Sequence, residues 1–176
     1  QRFSVIPDCS RMMEQWEFYL STGLKADYPD LEKRMAWYRR FAPLLSAKAI
    51  RDGFSGSSYS LKEITHLITV SCTGMSAPGL DLQLMELLEL PPTLNRSSIN
   101  FMGCYAAIHG LKQADAICRA DPSALVMVVC TELCTLHFQE KSSADNMASS
   151  LLFGDGAAAM LLSGAEGVLG VGIRDF

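Results

Sequence analysis

The chain has 176 residues, 49% of them hydrophobic and 19% charged, with a formal net charge of −4 and a pI near 5.3. This length suffices for one domain burying roughly 70% of the surface its unfolded chain exposes, and the apolar surplus predicts a face that more protein covers. The acidic balance supplies no basic field for nucleic acid or an anionic membrane. No apolar run reaches the ~18 residues of a membrane span, and the opening "QRFSVIPDCS" lacks signal-peptide regions, so a cytoplasmic protein is expected.

Residues 28–52 carry Leu31, Met35, Tyr38, Phe41 or Ala42, and Leu45 at helical spacing, which predicts an amphipathic helix opened by Pro29 and Asp30 and closed by Gly53. Pro43 inside this run should bend or split it. The cluster "EKRMAWYRR" reads as the helix's solvated face, with phosphate binding as the other reading. After the loop "GFSGSSYS", the β-branched density of "ITHLITVSCT", residues 64–73, predicts a buried strand. Leu80 to Leu90 then read as a helix stopped by Pro91 and Pro92.

A β-type run from Ser98 to Met102 meets Gly103 and Cys104, and a helix is expected from there to about Ala120. "SALVMVVCTEL" is a second fully apolar strand, as in a mainly parallel sheet buried between helix layers. After a loop, "GAAAMLLSG" and "GVLGVGIRD", joined by "AEG", suggest an antiparallel hairpin. The fold class expected is a layered α/β domain.

Six cysteines stand at 9, 72, 104, 118, 130 and 134. They form no CxxC pair and lie mostly in apolar patterns, so neither a metal site nor disulfides are expected. Cys104 differs by its place. At the first turn of a helix, directly after Gly103, its sulfur would face unpaired N–H groups and the positive end of the helix dipole, which favours a thiolate. A strand–Gly–Cys–helix junction is read either as a nucleophile, which a histidine would normally assist, or as a small residue packed under a strand end. His66 lies in a buried-looking strand, and His109 falls on a different helix face from Cys104. His137 follows "VVCTEL", where open α/β sheets gather ligands, and is a pocket or a surface-loop residue. "LFGDGAAA" matches neither dinucleotide nor P-loop fingerprints; its glycines read as a turn, while Phe153 could close a pocket.

Taken together, "ITHLITVSCTGMSAPG", "GCYAA", "VVCTELCTLHF" and "LFGDGAAA", with "RFSVIPD" near the start, resemble the type III polyketide synthases of the chalcone synthase family, from about Arg2 to Phe176. "CTELCTLHF" is closer to the bacterial branch than to plant members. The resemblance implies a thiolase-type fold of two similar α/β halves and a tight homodimer, of which this sequence resembles the first half without its opening segment. It implies condensation on coenzyme A thioesters as substrates, with no resident cofactor: a starter acyl group moves from an acyl-CoA to the active cysteine, malonyl-CoA is decarboxylated, and the carbanion attacks the thioester. Repetition and cyclisation would give pyrones, resorcinols or chalcone-like products.

Residue by residue, the resemblance makes Cys104 the nucleophile and Phe153 the aromatic gatekeeper of the coenzyme A tunnel. It also makes Thr73, Glu132, Cys134 and His137 lining of the substrate pocket. Plant members carry smaller hydroxyl residues where Cys134 and His137 stand, and a methionine that reaches across the dimer where Ala77 stands. The family's catalytic histidine and asparagine would belong to the second half, after Phe176. Other readings are a ketoacyl synthase III-like enzyme served by a carrier protein, or an inactive structural half-domain.

Overall fold

The computed structural model describes residues 3–10, 12, 15–21, 26–139, 143–168 and 170–174. A four-stranded sheet forms the centre of the molecule. β1 (Leu20–Ser21) and β2 (Ala26–Asp27) make a separate two-residue antiparallel ladder, and the sheet proper comprises β3 (His66–Ser71), β4 (Asn95–Asn100), β5 (Leu125–Leu133) and β6 (Asp155–Ser163). In the order β4-β3-β5-β6, β3 runs parallel to both its neighbours, and β6 runs antiparallel to β5.

Successive residues of β3 and β5 supply two cores, because side chains alternate across a sheet. Leu67, Met127, Val129 and Leu133 join Tyr38, Ala42 and Ile50 of helix α1 (Leu31–Phe54) and Leu80 and Leu84 of α2 (Leu80–Leu87). On the opposite face Ile68, Val70, Val126 and Val128 join Ala106 and Ala114 of α3 (Ala106–Ala120). Both faces of the central strands are therefore dry, and each fully buried Leu, Ile or Val contributes ~1.5–3 kcal/mol. This is the layered, mainly parallel α/β architecture that the apolar strands predicted. Gly110 lets α3 approach closely: a Cβ there would lie 3.2 Å from Val128 Cγ1 and 3.3 Å from Val70 Cγ2.

Five sequence expectations need correction. Helix α1 is one element through Pro43. The lost N–H bond costs about 3 kcal/mol, but buried Tyr38, Ala42, Ser46, Ala47 and Ile50 on both sides hold the helix against the sheet. Its end is also later than Gly53: the helix reaches Phe54, and Gly56, at φ +93, takes the left-handed turn. Helix α2 stops at Leu87 rather than Leu90, where Glu89, at φ +50, places the Leu90 N–H on the Met85 carbonyl and its own on Glu86.

Among the described residues the expected terminal hairpin does not form. β6 pairs with β5, and the described residues of 167–174 carry no strand. Gly167, Gly170 and Gly172 weaken any strand there, and Val171 is 98% exposed, so nothing is buried by pairing. The segment expected as a loop before β6 instead holds helix α4 (Ala144–Leu152), whose N-cap Ser143 accepts the Asn146 N–H. Among the described residues no helix is long and apolar enough to cross a membrane.

Tyr38 shows how tightly α1 meets the sheet end. It is buried, and burial, with the Glu132 carboxylate adding to it, pushes its hydroxyl up to about 12. A Cβ at Gly74 would stand 2.2 Å from the Tyr38 ring. Gly74→Ala is therefore expected to lower stability by about 1–3 kcal/mol, as an overpacked core does. Gly53→Ala, which meets nothing within 4 Å, should raise it by up to about 1 kcal/mol. Denaturant midpoints of the two variants check the opposite signs.

Candidate active site

The parallel strands deliver their carboxyl ends to one side of the sheet, where open α/β folds gather ligands. β3 ends at Ser71, and Cys72 and Thr73 follow it directly. β5 ends in Glu132 and Leu133 and passes into a 3-10 turn, Cys134–His137. Because β6 is antiparallel, its first residue, Asp155, pairs with Leu133 at the same end, and Phe153 sits just before it at the close of α4.

Glu132 fastens these ends together. Its two carboxylate oxygens accept the Cys72 N–H at 2.9 and 3.1 Å, and Oε2 accepts the Thr73 hydroxyl at 2.7 Å. The Thr73 oxygen in turn accepts the Leu133 N–H at 2.8 Å. His137 Nε2 lies 2.6 Å from the Thr73 carbonyl. A carbonyl only accepts, so Nε2 carries the proton.

Cys104 stands slightly earlier than the sequence suggested. The helix proper begins at Ala106, and Cys104 occupies the preceding turn, closed by the Ala106 N–H on the Gly103 carbonyl at 3.0 Å. The reason is the backbone of the junction: Phe101 at φ +58 and Gly103 at φ +74 reverse the chain before the helix can start. At Gly103 it is the left-handed conformation that favours glycine, since a Cβ would meet nothing within 4 Å. Cys104 is exposed rather than packed under the strand end.

A cavity of about 1410 Å³ opens beside it, larger than an ordinary small-molecule pocket. All six residues singled out in the sequence line it: Thr73, Cys104, Glu132, Cys134, His137 and Phe153. Cys72 and Cys130 line it as well. The thiols differ in kind. Burial, then the charges of Glu132 and Asp155, pushes Cys134 up to about 11, and burial followed by Glu132 raises Cys130. Both remain S–H at neutral pH. His109 packs edge to face on Tyr105 with centroids 4.8 Å apart, and His66 Nδ1 lies 2.9 Å from Thr65 Oγ1. With His137 on Thr73, each histidine has a partner other than Cys104.

Three residues that organise the site escaped the sequence reading. Asp155, 8% exposed, accepts the Val5 N–H at 2.7 Å, the Thr135 N–H at 2.9 Å and the Thr135 hydroxyl at 2.6 Å. The Asp155 N–H donates to the Phe3 carbonyl at 2.9 Å. This knot brings the N-terminal segment to the cavity wall, where Phe3, Trp16, Tyr19 and Tyr28 line it. The only available signal was an acid between two glycines. Thr135 and Cys72 gave none.

An α/β half-domain of thiolase-like fold that presents an exposed thiol beside a large cavity is the class that fold and site define. The sequence model of the chalcone and stilbene synthases' N-terminal domain matches residues 19–166, and the chain belongs to that family, the type III polyketide synthases. "Probable polyketide synthase 1" of Dictyostelium discoideum is 34% identical over 125 residues, 71% of this chain and 4% of that protein. "Alpha-pyrone synthesis polyketide synthase-like Pks18" of Mycobacterium tuberculosis is 32% identical over 136 residues, 77% of this chain and 35% of that one. The crystal structure of the C-terminal type III polyketide synthase domain of Steely1, a type I/III hybrid from Dictyostelium, superposes with a TM-score of 0.70 at 31% identity, over 77% of this chain and 40% of that domain's chain. The chain thus spans well under half the length of these relatives.

The difference among the thiols is measurable. Iodoacetamide labelling up to about pH 9, mapped by mass spectrometry, should leave Cys134 unmodified while its thiolate stays scarce. Labelling of Cys134 with a midpoint near pH 8 would contradict its burial beside two carboxylates.

Proposed function

We propose that these residues are the N-terminal half of a condensing enzyme in which Cys104 carries the growing acyl chain. The observation that supports this best is convergence: six side chains from four separate stretches of sequence line one cavity, with an exposed cysteine among them. In the first step the Cys104 thiolate attacks the carbonyl of an acyl-CoA, the carbon–sulfur bond to coenzyme A breaks, and the coenzyme A thiolate leaves and takes up a proton. In the second, malonyl-CoA loses CO2. The electron pair left on its α-carbon attacks the Cys104 thioester, and the carbon–carbon bond forms as the Cys104 thiolate is released; the lengthened chain, now a coenzyme A thioester, is taken back onto Cys104 by the first step before the next extension. Coenzyme A thioesters are thus substrates, with no resident cofactor in the scheme.

Thr73, Glu132, Cys134 and His137 shape the pocket for the chain, and Phe153 guards its entrance. The protonation of Cys134 supports this division of labour, because a thiol held as S–H lines the pocket without competing as a nucleophile. The family resemblance assigns the base and the groups that polarise the thioester to a second half of the same subunit; in this chain His66 Nδ1 lies against Thr65, His109 against the Tyr105 ring and His137 Nε2 against the Thr73 carbonyl. A homodimer of such subunits, working on pyrone, resorcinol or chalcone-like products in the cytoplasm, completes the proposal.

Incubating the full-length enzyme with an acyl-CoA and mapping the adduct by mass spectrometry tests the nucleophile. Cys104→Ala should cut turnover by roughly a thousandfold or more and abolish the adduct; acyl transfer that survives it would refute the assignment. The 176-residue chain by itself is expected to show no polyketide release, and measurable product from the purified chain would show that it supplies its own base.

A further inference from the structure

Cys72 holds the residue before the proposed nucleophile on both sides. Its Sγ accepts the Gly103 N–H at 3.2 Å and donates to the Gly103 carbonyl at 3.6 Å. The carbonyl belongs to the peptide that enters Cys104, and the N–H to the peptide before it. Both peptide planes around Gly103 are therefore tied to one sulfur. Those planes set the direction in which the Cys104 side chain leaves the backbone.

Along the backbone the turn is held by the Ala106 N–H on the Gly103 carbonyl at 3.0 Å and the Phe101 N–H on the Ser71 carbonyl at 3.2 Å; Cys72 adds the side-chain contact that reaches both the N–H and the carbonyl of Gly103. Gly103 sits at φ +74 with nothing within 4 Å of the place a Cβ would occupy, and Phe101 and Met102 beside it are more than half exposed. Cys72 itself is anchored, because both oxygens of Glu132 accept its N–H. A chain of contacts thus runs from Glu132 through Cys72 and Gly103 to Cys104.

We propose that Cys72 is a positioning residue, whose thiol fixes the Gly103 turn and so aims Cys104 at the acyl carbonyl; the proposal rests on Cys104 being the acyl carrier. The grip needs a group that both donates and accepts. An S–H or an O–H does so, a methyl or isopropyl group does neither, and a thiolate can accept but not donate. Misplacing a reacting atom by about 1 Å can cost up to a hundredfold in rate, so even weak sulfur hydrogen bonds at this point matter.

The test uses the full-length protein with Cys72→Ala, Cys72→Val and Cys72→Ser, and measures single-turnover acylation of Cys104, KM for the acyl-CoA and thermal midpoint. Ala and Val should slow acylation about tenfold with KM within about twofold, and Ser should come within about threefold of wild type. Ala and Val remove the same hydrogen bonds with opposite changes in volume, so whichever variant folds still decides. Wild-type acylation in Ala or Val would overturn the proposal, as would Ser as slow as Ala, which would make packing the cause. Iodoacetamide alkylation of Cys104, mapped by mass spectrometry, separates this from the function itself. If wild-type Cys104 takes no acyl group, the acyl-carrier reading fails, while alkylation rates falling in Ala and Val and recovering in Ser would still support the positioning role; equal rates in all four proteins would overturn it.

Discussion

The site depends on one carboxylate. Glu132 leaves the end of β5 and takes up the Cys72 N–H and the Thr73 hydroxyl just past the end of β3. Through Thr73 it reaches the Leu133 N–H and the His137 ring; through Cys72 it reaches the turn that presents Cys104. Hydrogen bonds to a charged acceptor are each worth about 1.5–3 kcal/mol, and a buried donor left without a partner costs about as much. Two strands that end side by side, each with loose donors, become one rigid rim when a single acid satisfies them.

Burial first, and the Glu132 charge second, keep Cys130 and Cys134 protonated beside this rim. Cys104 lies in an exposed turn just before α3. Asp155 does for the outer wall what Glu132 does for the centre. It ties the N-terminal segment to the start of β6 and to Thr135, so that aromatic residues from the beginning of the chain come to line the same space as Phe153 near its end.

The central strands were legible because both their faces are buried, which leaves an unbroken apolar signature in "HLITVS" and "LVMVVCTEL". The Gly-Cys junction was legible in its order of strand, glycine and helix but not in its bounds: the strand expected over Ser98 to Met102 is β4, Asn95–Asn100, and the positive φ of Phe101 and Gly103 delays the helix to Ala106. Helix α4 was overlooked although Ala144, Met147, Ala148, Leu151 and Leu152 recur at helical spacing: the run is only nine residues long and stands in a polar, serine-rich stretch, and Met147, Leu151 and Leu152 stay exposed. The terminal hairpin was misread because apolar composition outweighed the glycines between 167 and 172. Pro43 shows the reverse error, where a strong local rule yielded to packing along the whole of α1. The ties made by Asp155 and Cys72 span the folded chain rather than the sequence. Asp155 and Val5 are 150 residues apart, and no local pattern announces such a bond. The pocket residues became legible together only through the resemblance, whose family membership the matches bear out.

The most direct measurement of the account is the mass of the enzyme caught during turnover. Full-length protein mixed with an acyl-CoA and malonyl-CoA, quenched in acid and digested, should show the Cys104 peptide carrying the starter acyl group and then a ladder of adducts growing by one two-carbon ketide unit at a time. Product formation without any adduct on the Cys104 peptide, or with the ladder on Cys72, Cys130 or Cys134 instead, would contradict it.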